Sequence, residues 1–156
     1  MSNLSDFVGG GAAAETGTWT PTITDWAGTS LNISSSEGTY TRVGNIVHVT
    51  FKVTGITQGS AQTGSTAKIN GLPFSIASGN EANGHADIDY SQPEPRTYGI
   101  VNRWVAANNA GDSFLTLGWT SFNPSSSFTG NFFFYVEWLA SAGSIDEASF
   151  TYITED

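Results

Sequence analysis

The chain has no cysteine, and only five of its 156 residues are basic. Without thiols there is no disulfide framework and no thiolate metal site. The redox compartment stays open, because a chain of this length buries roughly 70% of its unfolded surface and needs no covalent staple. The cations Arg42, Lys52, Lys68, Arg96 and Arg103 are scattered along a chain of net charge −9. Little is available to neutralise phosphate, so nucleic acid is not an expected partner. Long apolar runs are missing too. The opening stretch MSNLSDFVGGGAAAETG has no basic n-region and no apolar core, so neither a secretory signal nor membrane insertion is expected. No window of about twelve residues carries a helical apolar stripe.

What the chain does contain is Ser, Thr, Asn, eighteen glycines and 13% aromatic residues, a composition of strands, turns and polar contact surfaces. The stretch SEGTYTRVGNIVHVTFKVTG, residues 36 to 55, shows the pattern most clearly. Val47, Val49, Phe51 and Val53 alternate with His48, Thr50, Lys52 and Thr54, and Gly44-Asn45 separates them from the run containing Tyr40 and Arg42. A period of two around a two-residue turn predicts a hairpin with one buried face.

The first residues form a separate unit. LSDFV is a short apolar cluster and GGGAAAETG follows it as a linker, since consecutive glycines are too costly in backbone entropy for a regular element. Residues 1–17 are therefore read as a peptide on a tether, with Leu4, Asp6, Phe7 and Val8 as candidates for docking into another protein. Residues 18–156 are read as one β domain. TWTPTIT is extended, with Pro21 at a strand start or sheet edge. TAKINGLPFSI carries the hairpin signal Asn70-Gly71, with Pro73 demoting the return strand to an edge. Further strands are expected at RTYGIVNRWVA, SFLTLGWTSF, NFFFYVEWLA and ASFTYIT, separated by SGNEANG, YSQPEP, ANNAGD and NPSSSFTG. Many short strands between turns predict an all-β fold, an antiparallel β-sandwich or jelly roll.

NFFFYVEWLA is unusual among these strands. Read as one strand, it points Phe132, Phe134, Val136 and Trp138 one way and Phe133, Tyr135 and Leu139 the other, with Glu137 alone breaking the apolar pattern. Both faces then need cover, either from the same domain or from a second copy. Phe132, Phe133, Phe134, Tyr135 and Trp138 are accordingly the expected oligomer interface.

Reactive chemistry is sparse. Asp87 and Asp89, with His85 behind them, would share a strand face about 6.6 Å apart. That separation suits an inverting glycosidase pair, but such pairs normally come from different elements, and acids two apart on a strand are commonly solvated. A calcium site on the same residues is the alternative. His48 and His85 lack metal spacing, no GxSxG elbow or phosphate loop occurs, and neither enzyme activity, resident metal nor cofactor is expected. Five tryptophans are mostly core by default. Trp26 and Trp104 lie beside turn-like segments, which makes them candidates for stacking on sugar rings.

GTWTPTI, EGTYTRVGNIVHVTFKV and INGLPFSI, in that order over residues 17 to 76, resemble a recurrent module of tailed-phage structural proteins. That module has a G-x-W-T-P-T opening, a Y-T-[RK]-[VI]-G-N hairpin and a [IV]-x-G-L-P-F turn. The leader MSNLSDFVGGG also resembles the start of small phage virion proteins. The resemblance implies a fibre, spike or receptor-binding subunit of a virion, commonly a homotrimer. Its N-terminal peptide would attach to capsid, portal or tail, and its outer loops would touch host-surface polysaccharide. A capsid decoration protein without a receptor role, a free carbohydrate-binding module and a depolymerase built on Asp87 and Asp89 are the competing expectations.

Overall fold

The computed structural model describes residues 13–80, 82–88, 99–101, 104–106, 113–122 and 129–156. Its strands in chain order are β1 (Glu15–Trp19), β2 (Thr22–Thr24), β3 (Ser35–Val43), β4 (Ile46–Thr54), β5 (Lys68–Asn70), β6 (Ala82–Asp87), β7 (Gly99–Val101), β8 (Trp104–Ala106), β9 (Phe114–Thr116), β10 (Gly118–Phe122), β11 (Thr129–Phe133) and β12 (Ser144–Ile153). A helix, α1 (Val136–Ala142), precedes the last strand.

The alternation read in residues 36 to 55 closes as expected. β3 and β4 pair antiparallel from Ser35↔Thr54 to Val43↔Ile46, and Gly44 takes φ +60° with no positive φ at Asn45. Glycine at the first of two loop positions is the arrangement of a type II′ turn, whose twist matches the flanking strands. Val47, Val49, Phe51 and Val53 are all buried.

This hairpin sits within a six-stranded sheet of order β1-β3-β4-β12-β6-β8. β12, from the end of the chain, lies between β4 and β6, with a register shift between Ile145 and Ala148 that leaves Asp146 and Glu147 bulged. A three-stranded sheet, β2-β5-β9, supplies the opposite layer. Ile23, Ile69 and Leu115 face one another across it and are fully buried. They join one core with Val49, Phe51, Phe150 and Tyr152 of the large sheet, so the two sheets form an antiparallel sandwich. Each such side chain withdrawn from water contributes roughly 1.5–3 kcal/mol. A further three-stranded sheet has the order β11-β10-β7. Pro21 falls between β1, an edge strand, and β2, so its missing N–H costs no ladder bond.

The three stretches GTWTPTI, EGTYTRVGN and INGLPF meet at Trp19. Trp19 is paired with Gly38 and Gly17 with Tyr40, so each aromatic ring covers a glycine on the neighbouring strand. A β-carbon on Gly17 would stand 2.7 Å from the Tyr40 hydroxyl, and one on Gly71, which has φ +92°, would stand 2.8 Å from the Thr20 carbonyl. Trp19 also meets Phe51 edge-on at 5.4 Å between ring centroids.

Four expected strands differ from what forms. NFFFYVEWLA is not one strand: β11 ends at Phe133 and α1 begins at Val136. Within VEWLASAG, Val136 and Leu139 bury one helical face, the Ala and Glu residues favour helix, and Gly143 closes it in the left-handed conformation, its N–H donating to the Leu139 carbonyl. RTYGIVNRWVA splits between β7, paired to β10, and β8, paired to β6. SFLTLGWTSF likewise splits between β9 and β10, which belong to different sheets.

The return strand after Asn70-Gly71 does not form either. β5 already has β2 on one edge and β9 on the other, and Pro73 has no N–H to offer. The segment 72–77 instead buries Leu72, Ile76 and Ala77 and is tied to the end of β12. The Ala77 N–H donates to the Ile153 carbonyl at 2.7 Å, and the Tyr152 hydroxyl donates to the Phe74 carbonyl at 3.0 Å.

Candidate functional site

Asp25 and Gly28 make a turn out of DWAGT by short-range chemistry. The Asp25 carboxylate accepts the Thr29 N–H at 2.8 Å, as aspartate does at the start of a turn. Gly28 has φ +97° and donates to the Asp25 carbonyl at 3.1 Å. A long-range contact completes the anchor, the Gln62 N–H donating to the second Asp25 carboxylate oxygen at 3.0 Å. Asp25 is only 1% exposed. The Gln62 N–H, followed by the Thr29 bonds, nevertheless holds its carboxyl below the usual carboxylate value, against the opposing effect of burial. An ionised, doubly bonded carboxylate therefore fixes this loop.

What the loop presents is Trp26, at 56% the most exposed of the large apolar residues among those described. Its main-chain N–H donates to Ser65 Oγ at 2.9 Å. Its carbonyl accepts from Lys68 Nζ at 3.0 Å. The Lys68 ammonium lies 5.2 Å from the centre of the Trp26 ring and 5.0 Å from that of Phe114, within cation–π range of both. Trp26 and Phe114 themselves meet edge-on at 6.1 Å. The Thr24↔Lys68 register brings the β2 loop and β5 together, so two aromatic rings and one cation share a surface. Such a surface can hold a ligand that offers an apolar ring face and a polar or anionic substituent.

Trp26 thus lies exposed, as a glycan-contact residue must. Trp104 falls in β8, and its side chain lies outside the described residues, as do Leu4, Asp6, Phe7, Val8, Asp89 and the side chains of Phe132 and Phe133. Of the expected oligomer interface, Phe134 is a core residue, 5% exposed, and Trp138 is half-buried against it at 6.1 Å. Tyr135, 36% exposed, stacks edge-on against Trp138 at 4.8 Å. The premise of a single strand apolar on both faces is therefore overturned for this segment, because the helical turn lets this domain cover Phe134, Val136 and Leu139 itself. A separate exposed apolar group comprises Val43, Ile46 and Ile153, adjacent across β3, β4 and β12.

His85 and Asp87 point from β6 to solvent on the same face, and Asp87 lies opposite Glu147. They line a shallow, open hollow with Ala86. His48 stands on the polar face of the large sheet, with Nδ1 2.9 Å from Thr151 Oγ1 and Nε2 3.3 Å from Ser149 Oγ. Among the described residues no three His, Asp or Glu side chains are placed to hold a metal ion.

Sequence reasoning singled out Trp26 but missed Asp25, Lys68 and Phe114. The Asp-x-x-Gly turn around Trp26 was a readable signal for Asp25. Nothing local could have paired Lys68 with a residue 42 positions earlier. Comparison with family models, with curated proteins and with solved structures gives no match.

Proposed function

We propose that this chain is a non-enzymatic appendage of a phage particle, a fibre, spike or receptor-binding subunit. Its leader holds it to other virion proteins, and its β domain, in a trimer, meets host-surface polysaccharide. The observation that carries the reading is Trp26, an exposed indole on a loop pinned by a buried carboxylate, which is a contact group on a stiff body. The convergence of the three motif stretches at Trp19 supports it as well, because it gives the motif residues a shared packing role in one β module. The exposed Val43, Ile46 and Ile153 suit a body that packs against neighbours.

Purified particles provide the test. The protein is expected in them by mass spectrometry, and deletion of residues 1 to 12, which leaves β1 (Glu15–Trp19) whole, is expected to abolish its incorporation while the circular dichroism of the isolated domain stays unchanged. Incorporation that survives the deletion removes the anchor. Absence from the particle leaves the free carbohydrate-binding module, which Trp26 equally favours, as the better reading. Many copies on the shell would favour a decoration protein; few would favour a fibre.

A further inference from the structure

Lys68 sets the Trp26 surface apart from an ordinary exposed aromatic. Arg42 is engaged by the Gly44 carbonyl, the main-chain oxygen of Asp156 and the ring of Phe74. Lys52 stands opposite Glu37 in the β3–β4 register. Lys68 instead has no carboxylate paired with it among the described residues, where its ammonium donates to the Trp26 carbonyl. An ammonium has three donors, so among the described residues two are left for a ligand. In a chain of net charge −9 this cation is placed between two aromatic rings, one of them more than half exposed.

We infer that the Trp26–Lys68–Phe114 surface binds saccharides that carry a carboxylate, uronic or sialic acid residues, with the sugar ring packed on Trp26 and its carboxylate on Lys68. This rests on the glycan-contact reading above and narrows it to one ligand class. A pyranose has an apolar C–H face that stacks on indole, and its carboxylate projects one bond beyond the ring. That projection suits an ammonium whose nitrogen lies 5.2 Å from the centre of the indole ring. A neutral sugar would use the indole and leave the cation unmatched. The charge-assisted bond supplies the discrimination.

The surrounding negative charge works against any anion at long range. The contact is therefore short-ranged, and added salt weakens it only modestly, as expected for one ion pair. The loop needs no rearrangement to bind, since Asp25 and Ser65 already hold Trp26 in place.

The experiment is a binding array of bacterial surface polysaccharide fragments that bear uronic or sialic acids, each beside its carboxyl-reduced counterpart. It is probed with the full chain and with Trp26→Ala, Lys68→Gln and Lys68→Arg, each checked for folding by circular dichroism. Expected is binding of the carboxylated members, about tenfold or more weaker for the reduced ones. Lys68→Gln should erase that preference, Lys68→Arg retain it, and Trp26→Ala lose binding of both forms. Equal binding of carboxylated and reduced members, lost in Trp26→Ala, would overturn the acidic-sugar inference and leave the glycan contact standing. Binding that neither Trp26→Ala nor Lys68→Gln changes would place the site elsewhere and overturn it. No binding to any member would overturn both readings.

Discussion

The indole of Trp19 lies directly over Gly38 on the adjacent strand, and its Nε1 donates to the Thr39 carbonyl at 3.3 Å. A β-carbon at position 38 would stand 2.7 Å from Trp19 Cδ1 and Cε2. The indole is 7% exposed and backed by Phe51, so it has little room to yield. Gly38→Ala is therefore expected to destabilise the domain by about 1–3 kcal/mol in urea unfolding, through overpacking. Its near-ultraviolet circular dichroism should change as Trp19 is displaced. An unchanged midpoint and spectrum would mean that the indole has another place to go.

Gly84 presents a harder obstacle. It faces Phe150 across the β6–β12 ladder, and a β-carbon there would come within 2.7 Å of the Phe150 Cα. Backbone cannot rotate away as a side chain can, so Gly84→Ala is expected to cost more than Gly38→Ala and to open the β6 edge of the sheet. Hydrogen exchange should show the protection of residues 82–87 falling before that of 46–54. Equal protection in both strands would contradict it.

Asp25 links stability to acid pH. Its carboxyl is held below its ordinary 3.8 by the Gln62 and Thr29 N–H groups. The folded chain thus prefers the ionised form more than the unfolded chain does. The stabilisation is complete above the unfolded value and disappears as pH falls through the lower folded one. Asp25→Asn puts an amide where two N–H groups need acceptors, and should lower Tm by roughly 4–8 °C at neutral pH. The gap between the variant and the wild type should narrow below about pH 4. A gap independent of pH would show that the carboxylate is not the anchor.

Tyr152 gives the opposite dependence at alkaline pH. Burial pushes its phenol up to about 12 from an ordinary 10.0. The folded state favours the neutral phenol. That contribution is whole below pH 10 and is lost as pH rises towards 12. Tyr152→Phe should cost about 1 kcal/mol at neutral pH by leaving the Phe74 carbonyl unpaired. It should also flatten the stability profile between those two values. An identical alkaline limb in the variant would show that another group sets it.

Several parts of this molecule follow from neighbouring residues alone. Alternation in IVHVTFKVT and glycine in the turn before it suffice for the β3–β4 hairpin, and Asp25 with Gly28 suffices for the Trp26 turn. These are choices made within a few bonds, where sterics and short hydrogen bonds dominate. Phe134 marks where such reasoning stops. Its alternating neighbours suit a strand equally well as a helix entry, and only the cover given to Val136 and Leu139 by the rest of the domain selects the helix. Asn70-Gly71 is similar: a hairpin signal fails when both edges of β5 are already taken. Lys68 reached Trp26, and β12 entered between β4 and β6, because the free energy of those pairings depends on surfaces that only chain closure brings together. A local pattern specifies which face of an element is apolar; what that face meets is decided by the competition among all the others for the same core.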